Sequence, residues 1–523
     1  MTTRRAFQIG VAVLAAATFG TLAAACAPSA PTGYQPPPGA VVLHEEGSPF
    51  VAFNIWVKVG SQNDPAGKEG LASLTASLLS DGGTEQNTYQ EIVSRLYPMA
   101  TGYGVSVDKE MTNFRGTVHI DNLDGFYELM RNALLSPAFD ESDFERVKAQ
   151  TMNFLERGRR YNRDEELSKE LLYAMAYEGT PFEHPEEGYV QSVASITLDD
   201  VRAFYQQYYV RNNVVVGVGG GFPDGLPETV RADFDTLPEG EVATVPAPQP
   251  AIPASNQVLI VEKDTDATAI SFGFPTTLQR GGEDFYAMKL VNAWMGDHRN
   301  SFSNLYQVIR EKRGMNYGDY TYIEPFPLGY TTQSRPVNAV RRSNLFEVWI
   351  RPISLTEPGN LHTRTLFATR AAMREVANLV TNGLPEDQIE RTRKYLYDFS
   401  LNYGNTTARR LAFAIDDAFY GLEGDRGYLS AIRPELGMLD KAQVDSAIRE
   451  HLGAPGYYMV FITADAEAFK QLLLSGDATG ITYTGEQPPE ILAEDEEIAN
   501  FPIPVTEDSI TIMGISEVFE SSS

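Results

Sequence analysis

The chain has 523 residues, 43% hydrophobic and 21% charged, with a formal net charge of −28. That length exceeds what a single compact core usually sustains and points to two or more domains, while the ordinary apolar content excludes a disordered chain. The acidic balance argues against a phosphate-backbone partner, and a single cysteine, Cys26, excludes an intrachain disulfide.

In chain order, residues 1–26 read as an export signal: Arg4 and Arg5, an apolar run from Ile9 to Ala25, and the ending Leu22-Ala23-Ala24-Ala25-Cys26. The ending resembles a lipobox, which makes Cys26 the expected lipidation site, and Thr3-Arg4-Arg5-Ala6-Phe7 resembles a twin-arginine signal. Acyl chains alone would then hold the protein at the cell envelope. Ala27 follows the cysteine where Asp would suggest inner-membrane retention, so the periplasmic face of the outer membrane is expected in a two-membrane bacterium.

Residues 27–40 are a Pro-rich tether. A first domain, 41–237, begins with VAFNIWVKVG (51–60), which alternates as a half-buried strand. Helical spacing follows at 69–81, with Leu71, Leu74, Leu78 and Leu79 on one face, then at 126–137, 140–160 and 198–209, before a strand at 214–220. Residues 238–255, rich in Pro and Ala, form a linker. The second domain, 256–485, has strands at 257–262, 268–275, 345–352 and 457–463 and helices at 283–296, 302–312, 362–381 and 385–402. Residues 486–523 carry ten Asp and Glu and no Lys or Arg, and read as a solvated, loosely ordered acidic tail. The two domains look related: SDFERVKAQT (142–151) resembles EDQIERTRKY (386–395), with Phe144 and Ile389 245 apart, and TLDDVRAF (197–204) resembles MLDKAQVD (438–445), with Val201 and Val444 243 apart. The expected fold is α+β, two homologous halves, each a mostly antiparallel sheet packed with helices.

GSQNDPAGKEGLASLTASLLSDGGT (60–84), LLSPAFDESDFERVKAQ (134–150) and SITLDDVRAFYQQYYVRNN (195–213) resemble, in wording and order, the pitrilysin/insulinase-like peptidases, the inverted zincins. The resemblance covers most of residues 40–485. Active members carry His-x-x-Glu-His after Gly-Leu-Ala: two histidines on one helical face hold zinc, and the glutamate serves as general base on the bound water. The matching positions here are Ser73, Ala76 and Ser77, and the stretch matching a third, downstream glutamate ligand offers Gln150 and Thr151. The six histidines (His44, His119, His184, His298, His362 and His451) form no local motif, and His184, in His-Pro-Glu-Glu-Gly, reads as a surface loop residue. No metal is expected in this chain.

The second half contains LYQVIREKRGMNYGDYTY (305–322). The resemblance implies that Arg310 and Tyr317 are the family's Arg–Tyr pair, which binds substrate and polarises the scissile carbonyl across a cavity from the zinc. Local rules alone account for both residues equally well, Arg310 at a helix C-terminus ended by Gly314 and Tyr317 opening a strand. GVGGGF (217–222) is the end of a strand, lacking the context of a nucleotide loop. ATGYGVSVD (100–108) is either the family's peptide-accepting edge strand or a plain strand with a glycine bulge. Some bacterial members divide the peptidase between two short chains. The resemblance therefore implies a non-catalytic subunit that pairs with a zinc-bearing homologue and helps it cleave unfolded peptides outside the cytoplasm. The alternatives are a structural subunit, or a peptide-binding lipoprotein with no part in proteolysis.

Overall fold

The computed structural model describes residues 36–241, 244–316, 318–325, 337–339, 341–354, 361–422 and 424–522. The export signal, Cys26 and most of the tether lie outside the described residues. Among the described residues, no helix is long and apolar enough to cross a membrane.

The first half forms a five-stranded sheet from β1 (Ala40–His44), β2 (Phe50–Val57), β3 (Tyr103–Val107), β4 (Thr112–His119) and β5 (Val214–Gly220), in the spatial order β1-β5-β2-β4-β3. The second half contributes β6 (Gln257–Glu262), β7 (Ala267–Thr276), β8 (Asp319–Tyr322), β9 (Asn344–Ser354), β10 (Tyr458–Thr463) and β11 (Ile510–Gly514), in the order β11-β6-β10-β7-β9-β8. Setting β11 aside, the two sheets have the same strand order. Within that shared order each has one parallel pair, β1 with β5 and β6 with β10, and is otherwise antiparallel; β11 adds a second parallel pair to the second sheet. Helices Glu141–Asn153 and Leu198–Tyr208 stand where Glu386–Phe399 and Lys441–Leu452 stand in the second half. The two sequence matches fall on these helices.

Strand β2 shows why the halves cannot be independent. Val51, Phe53, Ile55 and Val57 point to one face and pack on Leu71, Leu74 and Leu78 of helix Leu71–Asp81 and on Phe126, Val201 and Phe204. The alternate residues Ala52 and Trp56 point the other way, onto Leu411 and Ile415 of helix Thr407–Tyr420, which belongs to the second half. The expected half-buried strand is therefore buried on both faces, because an element several hundred residues distant covers its second face. The second sheet receives the reciprocal cover. Helix Asp164–Ala176 of the first half lays Leu167, Leu171 and Leu172 on Leu259, Val261, Val460 and Ile462, and Ser168 and Ser271 share a hydrogen bond of 2.9 Å. The opposite face of that sheet packs on helices Phe285–Gly296, Leu361–Asn382 and Lys441–Leu452.

The acidic tail is ordered, against expectation. Pro489–Ala499 is a helix whose Ile498 enters the second core, and β11 pairs in parallel with β6 along the sheet edge. Beyond β11, Val518 and Phe519 are buried, and the carbonyls of Phe519 and Glu520 accept from the amides of Val190 and Gln191 at 3.0 and 2.9 Å. The charge count misled because the partners of these carboxylates lie far away in sequence: Arg313 and Arg374 for Glu494, Arg160 for Glu520.

Leu411→Ala and Ile415→Ala should each destabilise the protein by about 2–5 kcal/mol, since both side chains are fully buried between the halves. The double variant should split a single denaturation curve into two steps, read by circular dichroism in urea.

Candidate functional site

Helix Leu71–Asp81 occupies the place of the missing metal motif. Its start is fixed from two sides. Asp64 accepts hydrogen bonds from the amides of Gly70 and Ala72, both at 2.7 Å, satisfying donors that a helix end leaves orphaned. Burial drives the Asp64 carboxyl well above the ordinary range, with those amides pulling the other way. On the other side, the loop ending at Gly188 closes against the preceding turn. A Cβ at Gly188 would lie 1.9 Å from the Glu69 carbonyl oxygen, and its φ of +80° favours glycine again.

Ser73 and Ser77, one helical turn apart, line a cavity of about 810 Å³. Ala76 is fully buried in the first core. Gln150 and Thr151, from helix Glu141–Asn153, line the same cavity. The structure thus brings the serine, glutamine and threonine positions to one space, and they do not form a zinc donor set. Two serine hydroxyls and an amide are poor ligands, and the Thr151 hydroxyl donates to the Val147 carbonyl of its own helix at 3.1 Å. With Ala76 in place of the glutamate, the helix also offers no base at the motif's own position.

The stretch 100–108 holds strand β3, which lies at the sheet edge and contributes Val105, Ser106 and Val107 to the cavity wall. The sequence does not announce the second half's share, Asn338, Glu347 and Arg409. The expected helix over 140–160 changes to a π-helical turn at Phe154–Arg159, and Arg159 is buried, pairing with Glu170 at 3.0 Å and Glu187 at 2.5 Å. Lys169 lies over the Trp349 ring at 4.7 Å. Burial pulls its pKa down, opposed by Glu347, and burial pushes Glu347 up to about 7, opposed by Lys169. These groups carry no local sequence motif, since their meaning depends on helix 164–176 lying on the other half's sheet.

Arg310 sits in a π-helical turn, Tyr306–Glu311, where a continuous helix was expected. It is half-buried, with its guanidinium over the Tyr306 ring at 4.6 Å, and is not among the residues lining the cavity. Gly314 ends the turn as anticipated, at a φ of +60°, its amide donating to the Arg310 carbonyl at 2.6 Å. Tyr317 lies outside the described residues. Near Arg310, Asp319 is buried and accepts from Asn316 at 2.6 Å. Burial pushes its pKa up to about 8 against the pull of Asn316 and Arg310.

His184 is a buried residue, not the surface one expected. Its Nδ1 lies 2.9 Å from the Pro185 carbonyl, and burial lowers its pKa to about 4. Among the described residues, one group could hold a cation by proximity: Asp284, Glu450 and His451, with ligand atoms within 4.8 Å of one another. It includes no residue of the cavity wall, and His451 and Asp284 already form a 3.0 Å pair.

Residues 40–188 match the insulinase family (peptidase family M16), and residues 195–396 match the peptidase M16 inactive domain. Among curated relatives, the "uncharacterized zinc protease YmxG" of Bacillus subtilis is 22% identical over 52% of this chain and 64% of its own length. The "non-peptidase homolog YmxG" of Helicobacter pylori is 23% identical over 58% of this chain and 71% of its own. The chain thus spans a little under two thirds of the first of these relatives. Among solved structures, a peptidase M16 inactive domain from Pseudomonas fluorescens superposes with a TM-score of 0.68 at 20% identity, covering 81% of this chain and 95% of that one. A protease from Helicobacter pylori superposes with a TM-score of 0.66 at 16% identity, covering 81% and 96%.

Installing Ser73→His and Ser77→His with Gln150→Glu, or with Thr151→Glu, should create a site that takes one zinc per chain by titration calorimetry, where the parent takes none. Failure of both triple variants would mean that these positions do not share the metal-site geometry. Asp319 gives a pH prediction. Its free carboxyl titrates near 4 and its folded one near 8, so between those values the folded state holds a proton that the unfolded state releases. This contribution is therefore greatest at the acidic end, declines as pH rises toward 8, and is flat above. Asp319→Asn should flatten that part of the melting-temperature profile.

Proposed function

This chain belongs to the insulinase (M16) peptidase family, and from that premise we propose that it is the non-catalytic subunit of a two-chain zinc peptidase working outside the cytoplasm. A zinc-bearing homologue would supply the metal and the general base. This chain would contribute Arg310 and Tyr317, a cation and a phenol that would bind the peptide and meet the negative charge that develops on the scissile carbonyl. Lipid on Cys26 would hold the complex at the envelope through the 27–40 tether.

The observation that carries this reading is the open cavity beside helix 71–81. Ser73 and Ser77 are small, so the space beside the helix is kept and not filled, while the positions matching the metal motif offer no good zinc donor. A chamber of this kind suits holding a peptide more than cutting one. The match of residues 195–396 to the inactive M16 domain, and the name of the Helicobacter pylori relative, point the same way.

The test is reconstitution with the zinc-bearing homologue of the same organism and a fluorogenic unfolded peptide. The lone chain should bind no zinc and cleave nothing, and the mixture should cleave. Arg310→Ala in the mixture should lower kcat by about a hundredfold, and Tyr317→Phe should lower it less. A stable complex whose turnover ignores both substitutions would instead indicate a structural subunit. Self-association without the homologue would indicate a free-standing peptide binder.

A further inference from the structure

The strongest unassigned feature is the contact between the C-terminal acidic helix, Pro489–Ala499, and the turn that carries Arg310. Three residues after Arg310, the Arg313 guanidinium is completely enclosed. Its Nε donates to Asp495 at 2.7 Å, its Nη2 to Glu494 at 2.9 Å, and its Nη1 to the Val308 carbonyl at 2.7 Å. One cation therefore joins the acidic helix to the backbone of the Tyr306–Glu311 turn. Lys312 adds a second link to Glu494 at 3.1 Å, and the Tyr483 hydroxyl donates to Asp495 at 2.7 Å.

The physical weight of this contact comes from burial. A guanidinium out of water is tolerated when its donors are matched by carboxylates in good geometry, and losing the acids leaves an uncompensated charge. Without the acidic helix, Arg313 would lose both of its carboxylate partners beside the turn. The arrangement is also confined to one half. In the first half the helix Tyr89–Leu96 follows the 71–81 helix as the Arg310 turn follows helix 285–296, yet Tyr97 and Val93 there are exposed. The acidic helix and β11 lie outside the repeated strand order altogether. The chain has added a segment to the half that carries Arg310.

We propose that the C-terminal acidic helix is a built-in clamp that positions Arg310, with Glu494 and Asp495 acting through Arg313. This rests on the reading that Arg310 assists a partner's zinc site. Glu494, Asp495 and Arg313 are positioning residues and touch no substrate.

The test uses the full chain carrying Glu494→Gln with Asp495→Asn, and separately Arg313→Lys, which keeps the charge but loses the fork. Glu496→Gln is the control, since Glu496 lies exposed on the same helix and outside the Arg313 contacts. Hydrogen exchange should speed up at least about tenfold in residues 306–316 of both clamp variants and remain unchanged in β2 and β4 and in the control. In the reconstituted complex the clamp variants should lower kcat severalfold with little change in KM. Unaltered exchange in 306–316 overturns the clamp, whatever the activity. Faster exchange with full kcat, where Arg310→Ala still cripples turnover, overturns the positioning role. Faster exchange with an Arg310→Ala variant that is itself fully active shows instead that the assisting role of Arg310 was wrong, and the positioning proposal falls with it.

Discussion

Each sheet needs cover on two faces and finds only one layer of helices in its own half. Helix 407–420 covers the first sheet and helix 164–176 covers the second, so each half completes the core of the other. Apolar side chains such as Leu411, Ile415, Leu167 and Leu172 supply the driving force through the area they remove from water. The orientation of the halves, and hence the shape of the cavity between them, follows from this exchange. Neither helix could leave without exposing a strip of the opposite sheet.

Around the apolar exchange runs a set of buried charges. Arg341 lies between Asp108 of the first half and Asp416 of helix 407–420, and Arg280 joins Asp416 to Glu324 at 3.2 and 2.6 Å. Arg342 pairs with Glu110, and Asn54 donates to Asn338 at 2.8 Å. Such pairs add little net stability, because desolvation offsets most of the attraction. They do penalise any other registry, since a shifted interface would leave several charges buried without partners. Burial raises Asp108 to about 7 even with Arg341 beside it.

Much of this was legible in the sequence where the relevant physics is local. The 3.6-residue spacing of Leu71, Leu74 and Leu78 located the site helix, and the 245 and 243 offsets located the repeat, because the paired helices sit in the same topological slots. The vacancy at Ser73, Ala76 and Ser77 could be read directly, since metal ligands must be particular residue types at fixed spacing. What failed was non-local. Helix 407–420 went unrecognised, and β2 was given one wet face, for the same reason: each answers to the opposite half. The acidic tail was taken for a solvated extension because Glu494 and Asp495 are some 180 residues from Arg313. Burial of Lys169, Glu347 and Asp319 likewise depends on neighbours that spacing does not reveal.

The last residues of the chain bear on the order in which it can be built. Glu520 pairs with Arg160, the Val518 carbonyl accepts from the same arginine at 2.8 Å, and β11 supplies the outer edge of the second sheet. Synthesis proceeds from the other end, so helix 164–176 leaves the ribosome long before any of the strands it will rest on. Its leucines wait about 85 residues for β6 and nearly 290 for β10, a period when such a surface invites chaperones or wrong partners. Residues 510–520 dock on elements made hundreds of residues earlier, so the sheet edge and the Arg160 contacts are late steps of assembly.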